Sequence, residues 1–315
     1  MMSKQVAMAM VSAMVVCTGA FGMQAQVGPA LRVAEGNDYK ISLRGGVMMQ
    51  SGEARELVFE GSHQLSELIW DISGLALAGG SVSAAIGDSL QLNAALWVGI
   101  TKGNGSMEDY DWFVEGMDWT HFSDGDVDIN AAHVFDVNGT YTFYRGGSVE
   151  CFGILGYKQL FWDWSEYGRT YIYSVNGWRD SRGSSGGVNG IDYEQTFDVP
   201  YVGIGMRVAF GRAWGSFYGI YSPLVQAEDK DHHILRDLHF VETFENIDYI
   251  GFGGELAYLF SDSLFMTVAL DGHAIPEARG DMFIRDGSGE TFFNPNAAGI
   301  ENTAVSATLA LGWLL

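Results

Sequence analysis

In the stretch SLQLNAALWVGI, residues 89 to 100, every even position from Leu90 to Ile100 is apolar, while Ser89, Gln91, Asn93 and Ala95 on the odd positions are polar or small. Successive side chains of a strand point to opposite faces, so a period of two demands a sheet with one greasy face. The last residues repeat the pattern: Val305, Ala307, Leu309, Leu311, Trp313 and Leu315 alternate with Asn302, Ala304, Ser306, Thr308, Ala310 and Gly312. A greasy sheet face that recurs from end to end needs either a second layer to cover it or a lipid surround.

The start of the chain favours the lipid. Lys4 precedes an apolar run from Val6 to Val16, followed by small residues through Gly22 and Ala25. That order is the pattern of a secretory signal peptide, so residues 1–25 are set apart from the fold, with cleavage expected after Ala20, Gly22 or Ala25. Cys17 follows Met14, Val15 and Val16, which lack the small residues a lipid-anchor site prefers. Processing leaves Cys151 alone and rules out an internal disulfide. In an exported chain, dyad alternation predicts a transmembrane β-barrel with its apolar face outward.

Ten strands follow from the pattern, at about 39–60, 64–85, 89–113, 127–143, 148–166, 191–210, 214–233, 246–260, 264–279 and 301–315. Short connections such as IGD (86–88), RGG (145–147), GRA (211–213) and SDS (261–263) alternate with polar stretches near 114–126, 167–190, 234–245 and 280–298. The expected fold is therefore all-β: residues 26–315 form one ten-stranded antiparallel transmembrane barrel with short periplasmic turns and long outer loops. A tilted strand crosses a bilayer in about 9–11 residues, so strands near twenty must stand above the membrane. Ten strands enclose too narrow a lumen for a wide channel, which disfavours a passive pore. A soluble β-sandwich would use shorter strands.

Candidate chemistry sits at the outer strand ends. If the third strand runs unbroken from Gln91, Met107, Asp109 and Asp111 of SMEDYDW (106–112) share its inward phase. The two carboxylates are then roughly 7 Å apart on one face, close enough to interact and to flank a bound group. In EDKDHH (228–233), Asp229, Asp231 and His233 share one face and Glu228, Lys230 and His232 the other. A carboxylate beside an imidazole orients it and raises its basicity, but periodicity alone does not choose between His232 and His233. Glu56 continues the polar even phase of the first strand, Lys40, Ser42, Arg44, Gly46 and Gln50, to the same end. No GxSxG, HExxH or cysteine cluster is present, so neither a serine mechanism nor a dedicated metal site is expected.

Together SMEDYDW and EDKDHH resemble the active-site segments of the omptins, outer-membrane endopeptidases built on a ten-stranded barrel. SGEARELVF (51–59), WTHFS (119–123), YIYSVNGWRD (171–180), FDVPYVGIG (197–205) and AGIEN (298–302) extend the resemblance along the chain. The resemblance implies that Asp109 and Asp111 form an aspartate couple and that Asp231 and His233 form the dyad facing it, selecting His233 over His232. It implies that Glu56 and Asp229 form the acidic pocket for the basic residue preceding the cleaved bond, with Met107 nearby. It implies no metal or organic cofactor. Members that bind lipopolysaccharide tend to carry Glu and Arg where this chain has Gln159 and Phe161, and a basic residue where it has Thr196, which leaves the lipopolysaccharide requirement open. The His-Pro that usually follows WTHFS is replaced by DGDVD, and the chain ends on Leu315 instead of an aromatic.

With 39 acidic and 17 basic side chains the net charge is -22, which disfavours nucleic acid and suits cationic partners. The expected function is an outer-membrane endopeptidase, its active site facing the exterior, that cleaves peptides or exposed protein loops at basic residues. The alternative is a catalytically weak barrel acting as an adhesin or receptor for basic proteins.

Overall fold

The computed structural model describes residues 40–315, so the expected signal peptide lies outside the described residues. The strands are β1 (Ile41–Glu60), β2 (His63–Ile86), β3 (Leu90–Gly99), β4 (Gly105–Asp111), β5 (His121–Gly146), β6 (Val149–Tyr173), β7 (Ser181–Ser184), β8 (Asn189–Phe210), β9 (Ala213–His233), β10 (Leu238–Leu259), β11 (Leu264–Arg285) and β12 (Thr291–Leu314). One turn of 3-10 helix, Ile234–Arg236, joins β9 to β10. Each long strand pairs antiparallel with the next, and β1 pairs with both β2 and β12, so the sheet closes on itself. The ring has ten staves, because β3 and β4 stack end to end in one position between β2 and β5, while β7 only extends the rim beside β6. Closure leaves no unpaired edge in the wall, which lipid requires.

The alternation sorts as the sequence predicts. Leu92, Leu96 and Val98 of β3 are exposed on the outside with Val305, Leu309, Leu311 and Trp313 of β12. Their odd or even neighbours Gln91, Asn93, Asn302, Ser306 and Thr308 are buried in the lumen. The inside of the lipid-facing band is packed with paired polar groups: Arg44 bonds Glu255, Lys158 lies 3.4 Å from Asp136, and Asn93 donates to Asn138 at 2.8 Å. Each charge is shielded by a partner, as burial demands. At the short-turn end, Gly87, Gly147 and Gly211 take positive φ values of 63°, 59° and 66°, a conformation that side chains with a Cβ resist.

Two expectations need correction. The third strand is not unbroken: residues 100–104 leave the sheet between β3 and β4, and the pairing register with β2 slips by one residue across the gap. Asp109 and Met107 nonetheless stay inward, because β2 absorbs the slip near Gly74, whose φ is +61°. The stretches 167–190, 234–245 and 280–298 are also largely strand, not loop, since β6, β10, β11 and β12 run on through them. Polarity there marks the end of the lipid band, and the hydrogen-bonded wall continues above it.

The band has an energetic consequence. Leu309→Arg places a charge on the lipid face and should cost about 2–4 kcal/mol, the range for mid-bilayer cations on barrels. Glu245→Arg, on an exposed position above the band, should change stability by less than about 0.5 kcal/mol. Urea unfolding equilibria in lipid vesicles measure both.

Candidate active site

Antiparallel register lines up residues from several strands at one height. On one wall Glu56, Leu68, Asp109, Ser123 and Tyr171 lie abreast across β1, β2, β4, β5 and β6. Two residues toward the rim, Val58, Ser66, Asp111, His121 and Tyr173 form the next row. On the facing wall the rows across β8, β9 and β10 are Gln195, Asp229 and Glu242, then Tyr193, Asp231 and Phe240, then Ile191, His233 and Leu238. A cleft of about 520 Å³ opens between the walls, lined among others by Glu56, Asp109, Asp111, Asp231, His233 and Arg236. The structure thus brings the two sequence-distant acidic segments to one cavity.

β9 resolves the parity that the sequence leaves open. Asp229 and Asp231 are 0% and 1% exposed, whereas Glu228 and Lys230 face out. His233 shares their phase, and its Nε2 lies 2.5 Å from Oδ2 of Asp231, although off the line of a directed hydrogen bond. On the other side of the ring, Nδ1 of His233 is in contact with the Arg236 guanidinium. Phe240 packs edge-on against the imidazole with ring centres 5.4 Å apart. His232 points to the outer face, where it stacks on its cross-strand partner His239. His232, Asp237 and His239 are the described residues whose ligand atoms could hold a metal, all within 4.8 Å of one another, but they lie outside the cleft.

The electrostatics follow from burial. Burial pushes the Asp111 carboxyl up to about 8, helped by the charge of Asp109 and opposed by Ser66, Arg236 and Arg169. His233 is pushed down to about 3 by burial and by the Arg236 guanidinium, so its imidazole is neutral at physiological pH. Asp231 is raised well above the carboxylate range, chiefly by burial and by the charge of Asp109, against the lowering effect of Arg236 and Arg169. Glu56 and Asp229 are raised in the same way, by burial first and then by neighbouring carboxylates. Asp109 accepts a hydrogen bond from Ser123 Oγ at 3.1 Å.

The pocket below the dyad is buried. Tyr193 OH donates to Oδ2 of Asp229 at 3.1 Å and itself accepts from Gln195 Nε2 at 2.8 Å. Tyr193 stacks on Trp70 with ring centres 5.0 Å apart, and Trp70 is the cross-strand partner of Met107, which is fully buried.

The omptin family model matches residues 37–315. The chain belongs to the omptin family. It is 29% identical over 282 residues to the outer membrane protease OmpP of Escherichia coli K12, covering 86% of this chain and 89% of that one. It is 28% identical over 269 residues to the plasminogen activator of Yersinia pestis, covering 84% and 86%. The crystal structure of the outer membrane protease OmpT from Escherichia coli superposes with a TM-score of 0.83 at 23% identity, over 88% of this chain and 97% of that one, which speaks to the fold. The protein is thus an outer-membrane β-barrel of a protease family, acting on peptides or proteins.

Several residues of this omptin's cleft carry no motif signal. Arg236, Arg169, Ser66 and Phe240 line it, and Glu242 lies beside Asp229 with 0% exposure. Arg169 reaches the cleft while held at 3.1 Å by buried Glu166. Phe240 and Glu242 alternate with outward neighbours in HFVETFE, a phase visible in the sequence once 234–245 is read as strand.

A carboxyl raised above its unfolded value stabilises the fold fully below about pH 4, and that contribution is lost as pH rises through about 8. Asp111→Asn, neutral throughout, should therefore gain stability over the parent progressively between pH 4 and pH 8, by roughly 1–3 kcal/mol after screening, then level off. Thermal unfolding across that range checks the sign.

Proposed function

We propose that this omptin is an endopeptidase that cleaves the bond following a basic residue, using water activated between the Asp231 and His233 dyad and the Asp109 and Asp111 couple. The observation that carries this reading is the meeting of the Asp231 and His233 dyad with the Asp109 and Asp111 couple across one cleft, with Glu56 among its lining residues. Nε2 of His233 lies toward Asp231, which leaves Nδ1 as the lone pair that accepts a proton. Arg236 occupies that nitrogen in the empty cleft, so the reacting water takes its place. His233 removes one proton from the water, the oxygen attacks the scissile carbonyl, and the imidazolium returns the proton to the leaving amine. Asp231 stabilises the imidazolium as it forms, and the Asp109 carboxylate and protonated Asp111 hold the water and the developing oxyanion. No acyl-enzyme forms.

Glu56 and Asp229 receive the basic side chain, with Met107 behind Trp70 closing the apolar floor. Cationic peptides and exposed protein loops with basic sites are the expected substrates, drawn by the negative mouth. No metal or organic cofactor enters the mechanism. Around Gln159, Asp198 accepts bonds from Tyr157 and from Gln159 Nε2 at 2.9 Å, and Phe161 stacks on His133. Among the described residues, Tyr157, Gln159, Phe161 and Asp198 bring no Lys or Arg to a lipid phosphate. Outer-membrane lipid surrounds the barrel, and on this reading the barrel is expected to work without lipopolysaccharide.

Refolded protein should cleave a quenched fluorescent Arg-Arg peptide, and His233→Ala should lower kcat by about a thousandfold. Adding lipopolysaccharide should change the parent rate by less than about threefold, because the patch lacks the cations that would bind it. No cleavage by a folded barrel that still binds basic peptides would favour the adhesin or receptor. A second expectation concerns pH: with Asp111 protonated up to about 8, kcat/KM should fall as pH rises through about 8. A rate that instead climbs steadily above pH 8 would contradict the role given to protonated Asp111.

A further inference from the structure

Below the dyad, three carboxyl groups from three strands converge without a cation. Glu242 of β10 is the direct cross-strand partner of Asp229 of β9, so both side chains leave the same face of the sheet into the lumen. Glu56 approaches from β1 on the facing wall, near enough that the charges of Glu56, Asp229 and Glu242 act on one another. Their exposures are 1%, 0% and 0%; Asp229 contacts Glu242 and Glu56 contacts Asp231 carboxyl to carboxyl, and apart from one another Glu56 Oε2, Asp229 Oδ1 and both oxygens of Glu242 meet no donor. Among the described residues, the groups that face them are Asp109, Asp231, Tyr193 and Gln195, none of them cationic. Buried acceptors in this number are costly unless a donor-rich group completes them.

We propose that Glu242 is a specificity-determining residue, the third acidic wall of the well for the basic side chain, and that it makes this omptin select arginine over lysine. The inference rests on the proposed proteolysis and deepens it. Glu56 lines the cleft, with Asp229 and Glu242 buried beyond it, so a long cationic side chain entering past Glu56 meets the unpartnered oxygens from both walls. A guanidinium carries five N–H donors in a planar fork and can satisfy all four open acceptors at once. An ammonium has three donors on one atom and leaves at least one carboxylate oxygen bare in a buried site, a defect that a specificity pocket penalises. Burial and the like charges of Asp229, Glu56 and Asp231 raise the Glu242 carboxyl well above its ordinary range, a crowding that an entering cation relieves.

The test compares two peptides that differ only in Arg or Lys before the cleaved bond, on refolded full-length protein and on Glu242→Gln and Glu242→Asp. The parent should prefer arginine by at least tenfold in kcat/KM. Glu242→Gln should lower that preference at least fivefold, mainly through KM on the arginine peptide, and Glu242→Asp should retain more of it. Because Gln keeps the shape and removes a crowded acid, its melting temperature should equal or exceed the parent's. A ratio unchanged within twofold, or a lower melting temperature with equal losses on both peptides, overturns the proposal and assigns Glu242 a structural part only. If the parent cleaves neither peptide, the catalytic reading fails, and the well is read by thermal stabilisation with N-acetyl-arginine amide against N-acetyl-lysine amide. Preferential stabilisation by the arginine amide that Glu242→Gln removes sustains the well; equal stabilisation overturns it.

Discussion

Mutual repulsion among carboxyl groups buried in the barrel mouth is the interaction around which the upper half of this protein is organised. Glu56, Asp109, Asp229, Asp231 and Glu242 are each less than a tenth exposed, and Asp111 stands in the row above. Chains do not gather such groups for stability, since each ionisation inside raises the cost of the next. The arrangement persists because the ring of backbone hydrogen bonds is closed and its lipid-facing half is well packed, so the wall cannot splay to relieve the charge. Under the proposed function the same crowding would favour the binding of a cation, around which the carboxyls can ionise.

Antiparallel register turns that stored repulsion into a device with two levels. In the proposed reading the lower level, Glu56 with Asp229 and Glu242, is where a side chain would be held, and the upper level, Asp111 with His233, is where the water and the bond would sit. Asp229, Asp231 and His233 stand two positions apart along β9, so the proposed anchor and base are fixed to each other by the rise of one strand. The turn Ile234–Arg236 sets the remaining variable. Arg236 against His233 lowers the basicity of the imidazole, and under the proposed mechanism its displacement by substrate would restore a stronger base.

The barrel was legible because lipid imposes an alternation that water does not, and Leu90 to Ile100 alone excludes a helix. The lower strand ends were also legible, since short turns with glycine are chemically distinctive. The rim was not: above the lipid, strands such as β10 and β12 carry polar residues on both faces, and polarity there is indistinguishable from loop. That is why Glu242 and Phe240, inside the stretch read as a connection, escaped notice while Asp229 and Asp231 did not. His233 illustrates the opposite limit. Aromatics on both phases of β9 hide its parity, and only the resemblance to omptins chose it over His232 before the structure placed it inward. The break between β3 and β4 was invisible for a different reason, because the compensating slip in β2 near Gly74 keeps Asp109 in the phase that an unbroken strand predicts.

The central claim is that a basic side chain held in the acidic well directs water to the bond that follows it. The most direct measurement is mass spectrometry of the products formed from a mixed peptide library, in the presence of a high concentration of an added amine. The account predicts cuts that follow basic residues, with every new carboxyl terminus free because water attacks directly. Cuts spread without regard to a basic residue, or carboxyl termini captured by the amine through an acyl-enzyme, would contradict it.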